Sequence, residues 1–371
     1  MTTRLIVANS EYDPNLFYAT EFFAPDPFVF IEVGGKRYMV MSDLEIDRAR
    51  KQATVDRVLS YARYVKRLKQ QGVLQPRQSD VLRLVLKEFR VRLVTVPSSF
   101  PLGLAKELRG IHIQVAPEPF FHERQIKTPK DVRKIRRALW MTEEGIRAAM
   151  DVLHACRIGR DGFLYRRGQK ITAEHVQGVI NATMAGLGGV ASRTIVACGN
   201  QGCDPHEAGH GPLRAHQTII MDVFPRDTNT GYYGDITRTV VRGRASDAVK
   251  KMYTTVGRAQ EIVFGKLRAG VDGRDVHQAV IDFFKSEGYP TGRRNGRMQG
   301  FFHGTGHGLG LEVHEPLRMG IVSTIMKTGH VVTVEPGLYY WGIGGVRLED
   351  VVLVGPRRAQ ILTTLPKLLE I

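Results

Sequence analysis

Between residues 222 and 349 the chain sets out residue types that hold divalent cations. HGTGHGLGLEVHE, from His303 to Glu315, carries His307 and His314. HVVTVEPG, from His330 to Gly337, carries Glu335, and GVRLED, from Gly345 to Asp350, carries Glu349. Upstream, MDVFPRDTNTGYYGDITRT, from Met221 to Thr239, offers Asp222 and Asp235. A carboxylate-rich set with a single histidine is the kind that hard or borderline divalent ions prefer. Four acids brought together without a cation would repel one another, and some would take up protons. Bound cations resolve that conflict.

The elements that must position these residues come in two similar runs. Thr128-Pro129-Lys130-Asp131 announces a helix: a capping threonine, a proline at the first helical position and an acid in the first turn. Its apolar stripe is Val132, Ile135, Leu139, Ile146, Ala149 and Leu153. Thr172 caps a second helix that ends at Gly188-Gly189, and strands follow with Asp222 and Asp235. The order then repeats. Ser246 opens a helix to Gly270, a shorter one runs from Val276 to Glu287, and strands follow with Glu335 and Glu349. The acids of the first run stand 13 residues apart and those of the second 14. A repeated unit whose equivalent strands meet at a pseudo-two-fold axis would bring all four together.

Residues 1 to about 125 read as a separate α/β unit. Leu5 to Ala8 is a short buried strand, and Phe28 to Ser42 alternates around Gly34-Gly35 as a hairpin does. Helical spacing runs from Val55 through Val58, Leu59, Ala62, Val65 and Leu68 to Gly72. A helix over Val81–Phe89 and strands over Val91–Val96 and His112–Ala116 complete the pattern. Pro117 and Pro119 then break the chain.

Taken together, residues 128 to 354 resemble the pita-bread metallopeptidases, the family of methionine aminopeptidase, aminopeptidase P, prolidase and creatinase. KTPKDVRKIRRAL looks like the helical entry of the proline-specific members, and the first 125 residues look like their additional domain. The resemblance implies an α/β (α+β) chain: an N-terminal creatinase-like α/β domain over 1–125 and a pita-bread catalytic domain over 126–371, with an internal pseudo-two-fold repeat. Carried over position by position, it implies two divalent ions held by Asp222, Asp235, His307, Glu335 and Glu349. Asp235 and Glu349 would bridge, and Glu335 would also transfer protons. Manganese is the expected ion, with cobalt, zinc or iron as alternatives. His206, in DPHEAGHGPL, and His314 match histidines that bind substrate and steady the reacting carbonyl. His303 and Arg347 match pocket positions.

The implied activity is hydrolysis of the Xaa-Pro bond of proline-containing di- or oligopeptides by a cytoplasmic homodimer. In some prolidases an arginine shortly after the VHE histidine holds a dipeptide's free carboxylate. Arg318, in HEPLR, is the candidate here, beside the bland reading of a surface arginine. A dipeptidase is slightly preferred and an aminopeptidase on longer peptides is the alternative. Creatinase-like activity is disfavoured because that enzyme lacks the metal ligands. A non-catalytic relative binding protein or nucleic acid would typically have lost ligands, and none is lost here.

Other chemistries fit less well. His206 to His210 spells H-E-x-x-H, which needs a helix to bind zinc. Pro205, Gly209 and Gly211-Pro212 oppose one. The glycines of HGTGHGLG miss the dinucleotide-binding spacing and are expected to let backbone approach the metal centre. Ser192 and Cys198 have no supporting triad. The net charge of +16 is spread over short basic clusters with no aromatic-interleaved block, so a solvated surface is expected and no specific nucleic acid. Three cysteines cannot build a disulfide framework, the opening residues show no secretory apolar run, and no stretch is long enough for a membrane span.

Overall fold

In the N-terminal part, local signals are resolved by pairing. A computed structural model describes residues 3–191 and 193–371; Ser192 lies outside the described residues. The chain divides into two compact units, one ending at Arg124 and one spanning Gln125–Ile371. In the first, strands pair in the order Arg57–Ser60, Lys36–Met41, Phe28–Val33, Arg4–Ala8, Leu93–Val96 and His112–Val115. The Gly34-Gly35 hairpin forms, with both glycines at positive φ. The helix expected from Val55 begins only at Tyr61. Arg57–Ser60 instead extends the sheet, parallel to Lys36–Met41, and the Ser60 hydroxyl caps the delayed helix by accepting the Arg63 N–H at 3.2 Å. Pairing at the sheet edge overrides a helical apolar spacing that continued through the cap. Short helices also form at Pro14–Thr20, Ile46–Gln52 and Leu102–Glu107.

The second unit shows the repeated order. Thr128 and Asp131 form a reciprocal capping box: the Thr128 hydroxyl accepts the Asp131 N–H at 3.2 Å and the Asp131 carboxylate accepts the Thr128 N–H at 2.9 Å. With Pro129 in its first turn, the helix runs Pro129–His154, and the helix capped by Thr172 runs Ala173–Gly186. A three-stranded sheet follows, Ile195–Cys198, Thr218–Val223 and Ile236–Val241, antiparallel throughout. Helices Asp247–Lys266 and Gly273–Ser286 open the second half. Its sheet is ordered Glu315–Met319, Gly306–Gly308, Val331–Val334, Asp350–Val354 and Ala359–Ile361, beside the ribbon Gly337–Tyr340 and Gly344–Arg347. Met252, Val256, Val263, Val280, Phe284, Val332 and Val352 bury the two helices against these strands. No helix of the described residues is long and apolar enough to cross a membrane.

The repeat fixes where the candidate ligands fall. Asp222 lies inside Thr218–Val223, and Asp235 immediately precedes Ile236–Val241. His307 is the middle residue of Gly306–Gly308, at a register irregularity. Glu335 follows Val331–Val334, and Glu349 precedes Asp350–Val354. Those last two strands pair with Val334 opposite Asp350. One step further, the register sets Glu335 against Glu349.

Candidate metal centre

Asp235, His307 and Glu349 are all buried, and each offers a ligand atom within 4.8 Å of the others. His307 Nε2 also stands 3.4 Å from Glu335 Oε1 and 3.6 Å from Asp235 Oδ2. Asp222 joins through Arg347, whose Nη2 donates to Asp222 Oδ2 at 2.7 Å. The other oxygen, Asp222 Oδ1, is buried with no hydrogen-bond partner. Buried polar atoms in native proteins are normally satisfied, so an orphaned carboxylate oxygen marks a place for a cation.

Electrostatics point the same way. Burial raises Asp235 well above the usual carboxylate range, and Glu349, Asp222 and Glu335 add to it. Burial likewise raises Glu349, helped by Glu335 and Asp222. Glu335 is pushed up to about 7 by burial, with Arg347 opposing and Asp222 adding. Burial, with His314 nearby, drives His307 down to about 3, so its ring is neutral and able to ligate. Such a set is costly as bare charges and is relieved by divalent ions. The residues present therefore fit the metal that the motifs imply.

Supporting residues hold this geometry. Thr237, two residues beyond Asp235, donates its hydroxyl to Glu349 Oε2 at 2.8 Å. Thr333 accepts the His307 N–H at 3.0 Å, and its hydroxyl lies 3.4 Å from Glu335 Oε1. Arg347 also donates to Tyr339 Oη at 3.0 Å, and that hydroxyl meets His303 Nε2 at 2.8 Å. Gly306 lets the backbone come close: a Cβ there would sit 2.0 Å from the Thr333 carbonyl. Thr237, Thr333 and Tyr339 escaped the sequence reading, although each lies within four residues of a named ligand. Asp350 instead supports the fold, paired with Arg238 and Lys367.

The His314 ring lies 4.4 Å from the His307 ring, edge to face. His206 is exposed on a turn, close enough to bear electrostatically on His303 and His314. His303 is driven down to about 3, by burial first and Arg347 next, so it is neutral. Arg318 pairs directly opposite His307 in an antiparallel ladder, and directly opposed side chains share a face. Its Nη1 donates to the Glu315 and Leu317 carbonyls. The His206–His210 segment is not helical, with Gly209 at φ 85°, so it cannot present a zinc-binding pair.

The sequence model of Metallopeptidase family M24 matches residues 133–356. An uncharacterized peptidase of Bacillus subtilis (strain 168), YqhT, is 39% identical over 174 residues, 47% of this chain and 47% of that protein. The Xaa-Pro dipeptidase of Pyrococcus furiosus is 29% identical over 242 residues, 65% of this chain and 63% of its own length. The matches thus span less than two thirds of these relatives. Among solved structures, an X-Pro aminopeptidase from Thermotoga maritima MSB8 superposes with a TM-score of 0.82 at 23% identity, covering 100% of this chain and 98% of that one. The fold is the pita-bread fold of prolidases and aminopeptidase P, with a further α/β unit before it.

Proposed function

The chain belongs to metallopeptidase family M24, and from that premise we propose that it is a dinuclear-metal exopeptidase hydrolysing the Xaa-Pro bond of short peptides, dipeptides above all. The observation that carries this is the buried cluster of Asp235, His307 and Glu349, flanked by Glu335 and by the orphaned oxygen of Asp222. In this reading Asp222, Asp235, His307, Glu335 and Glu349 hold two divalent ions, manganese by preference. Bound there, such ions would polarise the scissile carbonyl and lower the pKa of a water.

The chain's own residues supply the rest. Glu335, 3.4 Å from His307 Nε2, accepts a proton as attack proceeds and returns it to the leaving proline nitrogen. His314, beside His307, steadies the carbonyl oxygen together with His206. His303, neutral and hydrogen-bonded to Tyr339, gives the proline ring an uncharged wall. Arg347 keeps Asp222 aimed into the site. Arg318, on the face of His307, receives the dipeptide carboxylate in its planar fork.

The name of the Pyrococcus relative, an Xaa-Pro dipeptidase, supports the dipeptide preference. One observation favours longer peptides. A cleft of about 510 Å³, lined by Asp204, Glu207, Arg297, Phe302 and Trp341 among others, adjoins the site through Phe302, whose ring packs against Tyr339. Free thiols at Cys156, Cys198 and Cys203 fit a reducing, cytoplasmic setting, and a homodimer belongs to the same reading. The test is turnover of Xaa-Pro, Xaa-Pro-Xaa and Met-Ala-Xaa peptides with added manganese. Xaa-Pro should be cleaved fastest and Met-Ala-Xaa hardly at all. Faster cleavage of Xaa-Pro-Xaa would make the protein an aminopeptidase.

A further inference from the structure

We propose that Gln260 is a positioning residue that sets the separation of Glu335 and Glu349, an inference that rests on the metallopeptidase reading above. Gln260 lies on the helix Asp247–Lys266, fully buried among Val256, Val263 and the strands of the second half. Its Nε2 donates to the Val334 carbonyl at 2.9 Å and to the Leu348 carbonyl at 3.3 Å. These are the carbonyls of the two peptide groups that lead directly into Glu335 and Glu349.

The opposite edges of the same two peptide groups are also tied. The Glu335 N–H donates to the Thr305 carbonyl at 2.9 Å, and the Glu349 N–H to the Thr237 carbonyl at 3.1 Å. A peptide plane held at both its oxygen and its hydrogen cannot turn about its long axis, so the Cα–Cβ direction of the next residue is fixed. Thr305 lies two residues before His307, and Thr237 two residues after Asp235. The hydrogen bonds therefore run from the Asp235 strand to Glu349, through Gln260 to Glu335, and on to the His307 strand. Gln260 adds a side-chain link between the two glutamates where the backbone ladder is interrupted, after Val334 and Asp350 and before it resumes at Gly337 and Arg347.

The orientation of the amide supports a positioning role. Turned the other way, its oxygen would face two carbonyl oxygens. As it stands, Gln260 Oε1 is buried with no partner. An unsatisfied buried acceptor is unfavourable, and an apolar side chain of similar volume would avoid it. What the glutamine adds is a pair of donors aimed at the two carbonyls.

The test is Gln260→Met, which keeps the volume and removes both donors. Manganese binding to metal-free protein is measured by calorimetry, beside circular dichroism and steady-state kinetics on an Xaa-Pro dipeptide. Supports of metal ligands typically matter by roughly 10–100-fold. The expected result is a native spectrum, at least one manganese site weakened by that factor, kcat reduced with it, and KM changed less than about threefold. Manganese affinity and kcat both within about twofold of wild type would overturn the proposal and leave Gln260 as a packing residue. Should Gln260→Met not fold, Gln260→Asn, whose amide falls one methylene short, replaces it under the same criteria. A wild-type chain that binds none of manganese, cobalt, zinc and iron ends the metallopeptidase reading and this inference with it, and where another of these ions binds in place of manganese the comparison is made with that ion. Wild-type binding with an unaffected variant ends this inference alone.

Discussion

Glu335 is the residue on which turnover depends in this account. In the metal-free protein burial holds its carboxyl at about 7, and in turnover the same carboxylate accepts and returns a proton. Glu335→Gln keeps the shape and the Thr333 contact but cannot take the proton. The variant should retain its fold and lose roughly 10²–10⁴-fold in kcat. Wild-type kcat at full metal occupancy would reject the role. Arg318 tests the substrate's far end. A charge-assisted contact to a carboxylate is worth about 1.5–3 kcal/mol, so Arg318→Ala should lower the ratio of dipeptide to tripeptide kcat/KM by roughly 10- to 150-fold. Equal, small losses on both substrates would mean that Arg318, exposed on its strand, takes no part in binding. The five candidate ligands were legible because each stands in a short motif of fixed order. Gln260 was not, because a glutamine inside an amphipathic helix carries no signal until the strand carbonyls above it are known.

Elements deliver these residues, and their close approach is specific. The strands Gly306–Gly308 and Val331–Val334 meet so tightly at Gly306 that a Cβ would lie 2.0 Å from the Thr333 carbonyl. That contact seats His307 beside Glu335. Gly306→Ala must push the strands apart, at a cost of about 1–3 kcal/mol for overpacking. The melting temperature should fall by roughly 2–12 °C for a unit of this size, and metal affinity should fall with it. An unchanged melting temperature would contradict the packing described. Three helices of the second unit were readable from caps at Thr128, Thr172 and Ser246, where each start signal coincides with an apolar period; the one read from Val276 starts at Gly273, capped by Asp272. Arg57–Ser60 was not. Val58 and Leu59 fit the stripe of the helix that follows, and only the parallel partner Lys36–Met41 decides for strand.

For the molecule as a whole, the buried cluster links stability, pH and metal. In the metal-free protein Glu335 titrates at about 7 against an ordinary 4.5, and Asp235 and Glu349 are raised as well. The folded state thus holds protons that the unfolded chain has released, and stability falls as pH rises through that window. His303 and His307, at about 3 against an ordinary 6.5, act in the opposite direction, but only below about pH 6.5. Metal binding needs these carboxylates ionised, so the melting temperature gained on adding manganese should widen between about pH 6.5 and 8. A constant gain would contradict the carboxylate assignments. The repeated order of helices and strands, with its paired acids, was visible in the sequence. How the acids are braced against one another was not, because Thr237, Arg347 and Tyr339 act across more than one strand. The most direct test of the central claim is metal content. After chelation and reconstitution with manganese, elemental analysis should find up to two ions per chain, with Xaa-Pro hydrolysis absent before and present after. A reconstituted, folded protein that holds no stoichiometric metal, or one that cleaves Xaa-Pro equally well in chelator, would contradict the account.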